Sequence, residues 1–395
     1  MVSQRQLFLN HLAQTSDAPI GLEIVKAQGI YLEDISGKKY MDLISGISVS
    51  NVGHRHPKVL EAIQEQLDKY LYVMVYGEYI QSPQVTYAKI LTDLLPFSLN
   101  SVYLTNSGSE ANEGALKLAK RHTGRTEIIA FKNAYHGSTH GALSVMGNET
   151  FKSAFRPLLP GISFIEFNNP DELNNINAKT ACVIVEPVQG EAGIIVPEND
   201  FLKKLRAKCT ETGTLLIFDE IQTGFGRTGS LFAFEQFDVV PDILTTAKGM
   251  GGGMPIGAFI ASKEIMSSLM ENPVLGHITT FGGHPVSCAS AKASLKVIIE
   301  ENLIAQVKEK ENLFKDLLKD DKIKSIRAIG LMIAIEFEDF SLNKKVIDKC
   351  IENGIITDWF LFCDNFMRIA PPLTITKEEI TQACSVILKS IKESL

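Results

Sequence analysis

ACVIVEPV (residues 181–188), FLKKLRAKCTETG (201–213) and TLLIFD (214–219) decide how this chain folds. The first opens with an unbroken apolar run, ACVIV (181–185), which suits a strand buried on both faces. The second reads as a helix closed by Gly213, and the third is a further buried strand ending on Asp219. Upstream the same alternation holds. SVYLTN (101–106) reads as a strand, 109–121 as a helix and EIIAF (127–131) as a strand. Strands that are apolar throughout, separated by helices, predict an α/β fold with a mostly parallel central sheet covered on both faces.

The flanks read differently. GIYLEDISGKKYMDL (29–43) predicts two short strands joined around Ser36–Gly37. Residues 57–71 predict a helix with Pro57 in its first turn, and 84–95 repeat the pattern. Residues 285–319 read as one long helical stretch, followed by strands in IRAIGLMIAIEFE (326–338) and a helix in NKKVIDKCIENG (343–354). Thr376 with Glu379 forms a capping-box pattern before a last helix. The division expected is a large domain over 46–290, and a small α/β domain from 1–45 and 291–395.

A chain of 395 residues can bury a large core, and its 45% hydrophobic and 22% charged residues are ordinary for an enzyme. A net charge of −7 argues against a nucleic-acid partner, whose contact face is rich in Lys and Arg. No apolar run reaches membrane-spanning length, and MVSQRQLFLNHLAQTSD (1–17) lacks the pattern of a secretory leader. Six scattered cysteines without a C-x-x-C pair read as reduced core thiols, so a cytoplasmic location is expected. His54 and His56 have no third ligand at useful spacing, so no metal is expected.

The chemistry gathers around LTTAKGMGGGMPIGA (244–258), which sets Lys248 in a stretch of small residues. A nucleophilic lysine needs apolar or cationic surroundings to lose its proton, and small neighbours if a flat cofactor is to lie against it. Asp219 stands at the carboxyl end of a buried strand, where open α/β sheets bind ligands. A lysine for a Schiff base and a carboxylate for a pyridine nitrogen are what a protein contributes to pyridoxal-phosphate chemistry. Ser107, Gly108 and Ser109 open a helix and offer hydroxyls and N–H groups to a phosphate, or serve as ordinary caps. Tyr135 and His136 beside Gly137 place an aromatic where it can stack on a ring or simply pack. Glu186 and Glu191 lie just past a buried strand and need donors or cations, for which Arg368 is the candidate. Thr280 begins a run of hydroxyl and glycine residues that can complete a phosphate site.

NSGSEANEGALKLAK, AYHG, EPVQGEAG, LLIFDEIQTGFGRTG, PDILTTAKGMGGGMPIGA, TTFGGHPVSCA and RIAPPLT run almost end to end. Together they resemble the class III, fold type I pyridoxal-phosphate aminotransferases, most of all the acetylornithine/ornithine branch. The resemblance implies a seven-stranded-type sheet and pyridoxal 5′-phosphate as cofactor. It implies that Lys248 carries the cofactor and moves the proton, and that Asp219 keeps the pyridine nitrogen protonated. It places Tyr135 on the ring face, Gln222 near the 3′-hydroxyl, and Ser107, Gly108 and Ser109 on the phosphate, with His136 and Glu186 in the same set. It implies a homodimer in which Thr280 reaches the neighbouring site. Arg368 would bind a carboxylate of the 2-oxo acid acceptor, expected to be 2-oxoglutarate, and Glu191 would neutralise it when another substrate is bound. The reaction implied is transfer of a terminal amino group from a small amine or amino acid.

One position departs from that branch. The turn after the aromatic, His and Gly carries an arginine there, which grips the donor α-carboxylate, and here it is Ser138. A hydroxyl cannot replace a bidentate cation. The alternatives are therefore an omega-aminotransferase for a donor lacking an α-carboxylate (4-aminobutyrate, β-alanine or a diamine), or a mutase or decarboxylase on the same fold. Trp359, Phe360 and Phe362 add aromatics near Arg368, either as core or as an apolar donor pocket.

Overall fold

The computed structural model describes residues 3–395, so the first two residues of the N-terminal segment lie outside the described part. Its centre is a seven-stranded sheet built from β4 (Ser101–Thr105), β5 (Glu127–Phe131), β6 (Ile162–Ile165), β7 (Thr180–Val185), β8 (Leu215–Asp219), β9 (Ile243–Thr246) and β10 (Gly257–Ala261). The spatial order is β4-β10-β9-β8-β7-β5-β6, and all neighbours run parallel except that β10 is antiparallel to both β4 and β9. The mostly parallel sheet expected from the sequence is thus present, with one reversed strand. That reversal follows from the short glycine-rich link of residues 247–256, which returns the chain without a crossover helix.

Val183, Ile184, Leu216, Ile217, Phe218 and Phe259 are fully buried, as strands covered on both faces require. The helix Gly108–Thr123 lies directly on the sheet. Its Gly114 allows this, because a Cβ there would stand 2.3 Å from a ring carbon of Phe259. The helix Phe201–Thr212 ends at Gly213 in the left-handed conformation (φ 63°), as the sequence predicts.

Both chain ends contribute to flanking sheets. Strands β1 (Ile24–Gln28), β2 (Tyr31–Asp34) and β3 (Lys39–Asp42) form an antiparallel unit to which β13 (Ile355–Ile356) adds in parallel. A third sheet, in the order β11-β12-β15-β14, contains β11 (Ser325–Ile329), β12 (Met332–Glu336), β14 (Asp358–Phe360) and β15 (Cys363–Ile369). Asp358 and Arg368 face each other across β14 and β15.

The long helical stretch expected over 285–319 is two helices, Pro285–Glu300 and Val307–Leu317, with a 3-10 turn at Ile304–Gln306 between them. Asn302 sits at φ 50°, a left-handed conformation that ends the first helix whatever the apolar periodicity beyond it. The first of these helices runs through residue 290. The capping box at Thr376 is formed as expected. Among the described residues no helix is long and apolar enough to cross a membrane, and the six cysteines are unpaired.

Candidate active site

At the carboxyl ends of the central strands a cavity of about 420 Å³ opens, lined among others by Ser107, Gly108, Ser109, Tyr135, His136, Glu186, Glu191, Asp219, Gln222 and Lys248. Residues separated by up to 141 positions in sequence therefore meet in one place. Thr280 is not among its walls. It is exposed, and its carbonyl accepts a 2.8 Å hydrogen bond from the Tyr72 hydroxyl. Ser138 stands exposed beside the cavity, its hydroxyl 3.3 Å from that of Tyr135.

Asp219 ends β8 and is 4% exposed. Its Oδ2 accepts from Asn112 Nδ2 at 2.7 Å and meets His136 Nδ1 at 2.7 Å, while Oδ1 accepts from the Ile221 amide at 3.1 Å. Three donors hold one buried carboxylate in one orientation, which is how a fixed negative charge survives away from water. Asn112 is itself fixed, giving its other Nδ2 bond to the His136 carbonyl and accepting from the Thr245 hydroxyl. Asn112 escaped sequence reading, although its i+3 spacing from Ser109 puts it on the same helix face as the cavity.

Lys248 follows β9 directly, with its backbone in the left-handed region at φ 44°. Gly249 is required next to it, since a Cβ there would lie 2.4 Å from Asn51 Nδ2. Although Lys248 opens onto the cavity, protein encloses it, and burial is the largest cause of an ammonium pKa below the ordinary lysine value. The charge of Arg368 acts in the same direction, while Glu191, Asp219 and Glu186 oppose it.

Glu186 does not pair with a cation. Its two oxygens accept from the Tyr135 amide (3.0 Å) and the Gly190 amide (3.1 Å). Burial pushes it up to about 7, against the neighbouring His136 and these two bonds. Glu191 takes the cation instead. Arg368 Nη1 and Nη2 each donate to one of its oxygens at 2.8 Å, a bidentate pair buried on both sides. Burial alone would raise Glu191, yet Arg368 holds it below the usual carboxylate range. Gln222 Nε2 reaches the same carboxylate at 3.4 Å.

The aromatics near Arg368 divide. Phe360 is fully buried beneath the guanidinium, 4.6 Å from ring centre to Cζ, and Trp359 packs outside on Phe340. Of the three, only Phe362 packs on a residue of the cavity wall, Tyr135, at 6.4 Å between ring centres, and it also meets Phe151 at 5.3 Å.

The cavity's chemistry suits a flat ring with a phosphate tail. Gly108 leaves room that a Cβ would close against Ile221 at 2.7 Å, and Gly137 does so against Ser109 Oγ at 2.1 Å. Ser107 caps the helix Gly108–Thr123 by accepting from the Glu110 amide, so capping and anion-binding geometry coincide at one helix start. The Nε2 of His136 is buried without a partner, behind the carboxylate that a pyridine nitrogen would meet.

A buried lysine, a fixed carboxylate and a helix start, all at the carboxyl edge of a parallel sheet, define the fold type I pyridoxal-phosphate enzymes. Within them, the chain belongs to the class-III aminotransferase family, which matches residues 12–391. It is similar to the LysW-aminoadipate semialdehyde/glutamate semialdehyde transaminase of Sulfurisphaera tokodaii (39% identity, 95% of this chain and 96% of that one). A second relative is the acetylornithine aminotransferase of Methanocaldococcus jannaschii, at 40% identity over 90% of each chain. Among solved structures, the ornithine aminotransferase of Toxoplasma gondii superposes with a TM-score of 0.90 at 31% identity, over 98% of this chain and 93% of that one. The protein is a pyridoxal-phosphate-dependent aminotransferase that passes an amino group to a 2-oxo acid.

Proposed function

We propose that this aminotransferase draws its amino group from the terminal carbon of a small amine or amino acid lacking an α-carboxylate, and delivers it to 2-oxoglutarate. One observation carries this reading. Among the described residues lining the cavity, Lys248 is the only Lys or Arg, and the position for a carboxylate-gripping arginine is Ser138, beside Tyr135 and the aromatic cluster it forms with Phe362 and Phe151.

The roles follow from chemistry. Pyridoxal phosphate, when bound, supplies an electron sink for the negative charge that develops at the donor carbon. Ser107, Gly108 and Ser109 would hold its phosphate, Tyr135 would cover a ring face, and Gln222 would approach the ring hydroxyl. Asp219, fixed by Asn112, His136 and the Ile221 amide, is the counter-charge for a protonated pyridine nitrogen. Lys248 Nζ attaches the cofactor and, as a free amine, moves the proton at the donor carbon. Its lowered pKa increases the fraction able to act as a base. Arg368 takes the acceptor carboxylate, and Glu191 neutralises Arg368 otherwise. On this reading residues 46–290 hold the cofactor, while 1–45 with 291–395 carry Arg368 to it. Thr280 serves the site of a second subunit. Its exposure outside the cavity, next to Phe281 (54% exposed) and the Tyr72 ring that packs on it (37% exposed), supports a homodimer.

The test is a half-reaction screen. Holoenzyme is mixed singly with N-acetylornithine, ornithine, 4-aminobutyrate, β-alanine, putrescine and lysine, and conversion of the cofactor to its amine form is followed by absorbance. Donors without an α-carboxylate should react fastest, and Ser138→Arg should raise the use of α-carboxylate donors by about tenfold or more. Rapid conversion by N-acetylornithine in the wild type, or no gain in Ser138→Arg, overturns the reading.

A further inference from the structure

Arg368 carries more negative charge around it than a single gate requires. Its Nη1 and Nη2 are taken by Glu191, and Nη2 also donates to the Trp359 carbonyl at 3.2 Å. Away from that edge of the guanidinium, Nε lies 3.1 Å from Asp358 Oδ1. That contact is at ion-pair distance but misaligned for a hydrogen bond, since both atoms are buried without a hydrogen-bond partner. Asp358 is set there by the fold, directly across β14 and β15 from Arg368. It does not line the cavity and does not occupy the Nη1–Nη2 edge, so a ligand that displaces Glu191 leaves Asp358 in place.

We propose that Asp358 is a specificity-determining residue that acts through Arg368 to disfavour substrates bearing a carboxylate. The inference rests on the reading that Arg368 receives the acceptor carboxylate. With both carboxylates charged, the cluster of Glu191, Asp358 and Arg368 has a net charge of −1. An incoming carboxylate takes the place of Glu191 on the guanidinium, but the displaced Glu191 remains nearby as an added negative charge facing Asp358. Carboxylate-bearing ligands therefore bind against a repulsion that a donor without that group never meets. The surroundings agree. Burial raises the Asp358 carboxyl to about 6, with Glu191 and Asp42 adding to the rise and Arg368 opposing it. A further anion raises it again, so carboxylate binding takes up protons and tightens as pH falls towards that value.

The experiment uses holoenzyme and glutarate, a dicarboxylate that cannot react, with affinity measured by calorimetry above neutral pH. Asp358→Asn keeps the shape and removes the charge. It should tighten glutarate by about three- to tenfold, the scale of one unit charge several ångströms away in a partly screened site. It should also lower the KM for 2-oxoglutarate at unchanged kcat, flatten the pH dependence of glutarate binding, and leave the binding of a simple alkylamine unaltered. Asp358→Ser should tighten glutarate likewise and guards against a folding defect in one variant, while Asp358→Glu should restore the weak binding. Unchanged or weaker glutarate binding in Asp358→Asn and Asp358→Ser overturns the proposal. Arg368→Gln is measured in parallel. If it leaves glutarate binding intact, the Arg368 reading fails and this inference with it; if it abolishes binding while Asp358→Asn has no effect, only this inference fails.

Discussion

Lys248 combines two conditions that conflict in an ordinary lysine. Its backbone is held at φ 44°, a region costly for a side chain with a Cβ, and its amine is enclosed where a charge is disfavoured. The sequence shows why this can persist, because Gly249 and Gly252 follow it and absorb the close approach of Asn51 and of the helix Pro285–Glu300 respectively. On the proposed reading, replacing Lys248 with Ala removes both the attachment point and the base. Borohydride should fix the cofactor covalently in the wild type and not in Lys248→Ala, and turnover should fall by at least about 10²-fold. Covalent labelling of Lys248→Ala would show that another amine carries the cofactor. Lys248 and Asp219 stood out in the sequence as candidates because both required chemistries have a narrow choice of side chain, and the structure brings both to one cavity. Asn112 and Asp358 were not, since nothing in a linear sequence shows which polar side chain a charged group will meet.

At the scale of elements, the proposed phosphate seat depends on two turns meeting. The start of the helix Gly108–Thr123 and the turn at Gly137 interlock so closely that the Ser138 amide donates to Ser109 Oγ at 3.3 Å. Gly137 has φ 123°, and a Cβ there would collide with Ser109. Gly137→Ala should therefore weaken cofactor retention by about 10- to 100-fold, corresponding to roughly 1–3 kcal/mol of overpacking and strain, measured as apoenzyme reconstitution with pyridoxal phosphate. Wild-type retention would mean that the turn is not part of the seat. Elements themselves were readable where period and punctuation agreed, as in β7, β8 and the helix ended by Gly213. They were not readable in β9 and β10, whose short apolar runs flank the glycine-rich segment. The supposed single helix over 285–319 misled because apolar spacing continues through Asn302, while the chain reverses there.

Over the whole molecule, Arg227 joins regions that sequence reading kept apart. Its fully buried guanidinium donates to the Asn51 side chain and to the carbonyls of Leu331 and Pro371, and the Leu331 amide donates back to the Arg227 carbonyl at 2.9 Å. Burial pushes Arg227 down to about 9, against the charge of Asp42. Arg227→Ala should leave three buried acceptors without a donor and destabilise the protein by about 2–4 kcal/mol, seen as a lower denaturant midpoint at unchanged slope; a midpoint within error of wild type would refute this. Assembly is tested at the same scale. Thr280→Ala should weaken cofactor retention, and dimers mixed from Thr280→Ala and Lys248→Ala subunits should regain one working site in two. No recovery of activity in the mixed dimers would place Thr280 in its own subunit's site or in none.

The sequence by itself determined the fold class and the cofactor and singled out Lys248 as the candidate attacking residue, because backbone periodicity and the chemistry of a Schiff base each restrict residue choice locally. Tertiary structure alone decided which charges face each other. It gave Glu191 rather than Glu186 to Arg368, set His136 and Asn112 on Asp219, packed Phe362 rather than Trp359 on Tyr135, and brought Asp358 to the Nε of Arg368. Those pairings depend on strand register and helix packing between segments far apart in the chain, and electrostatic energy depends on distances that no linear order encodes.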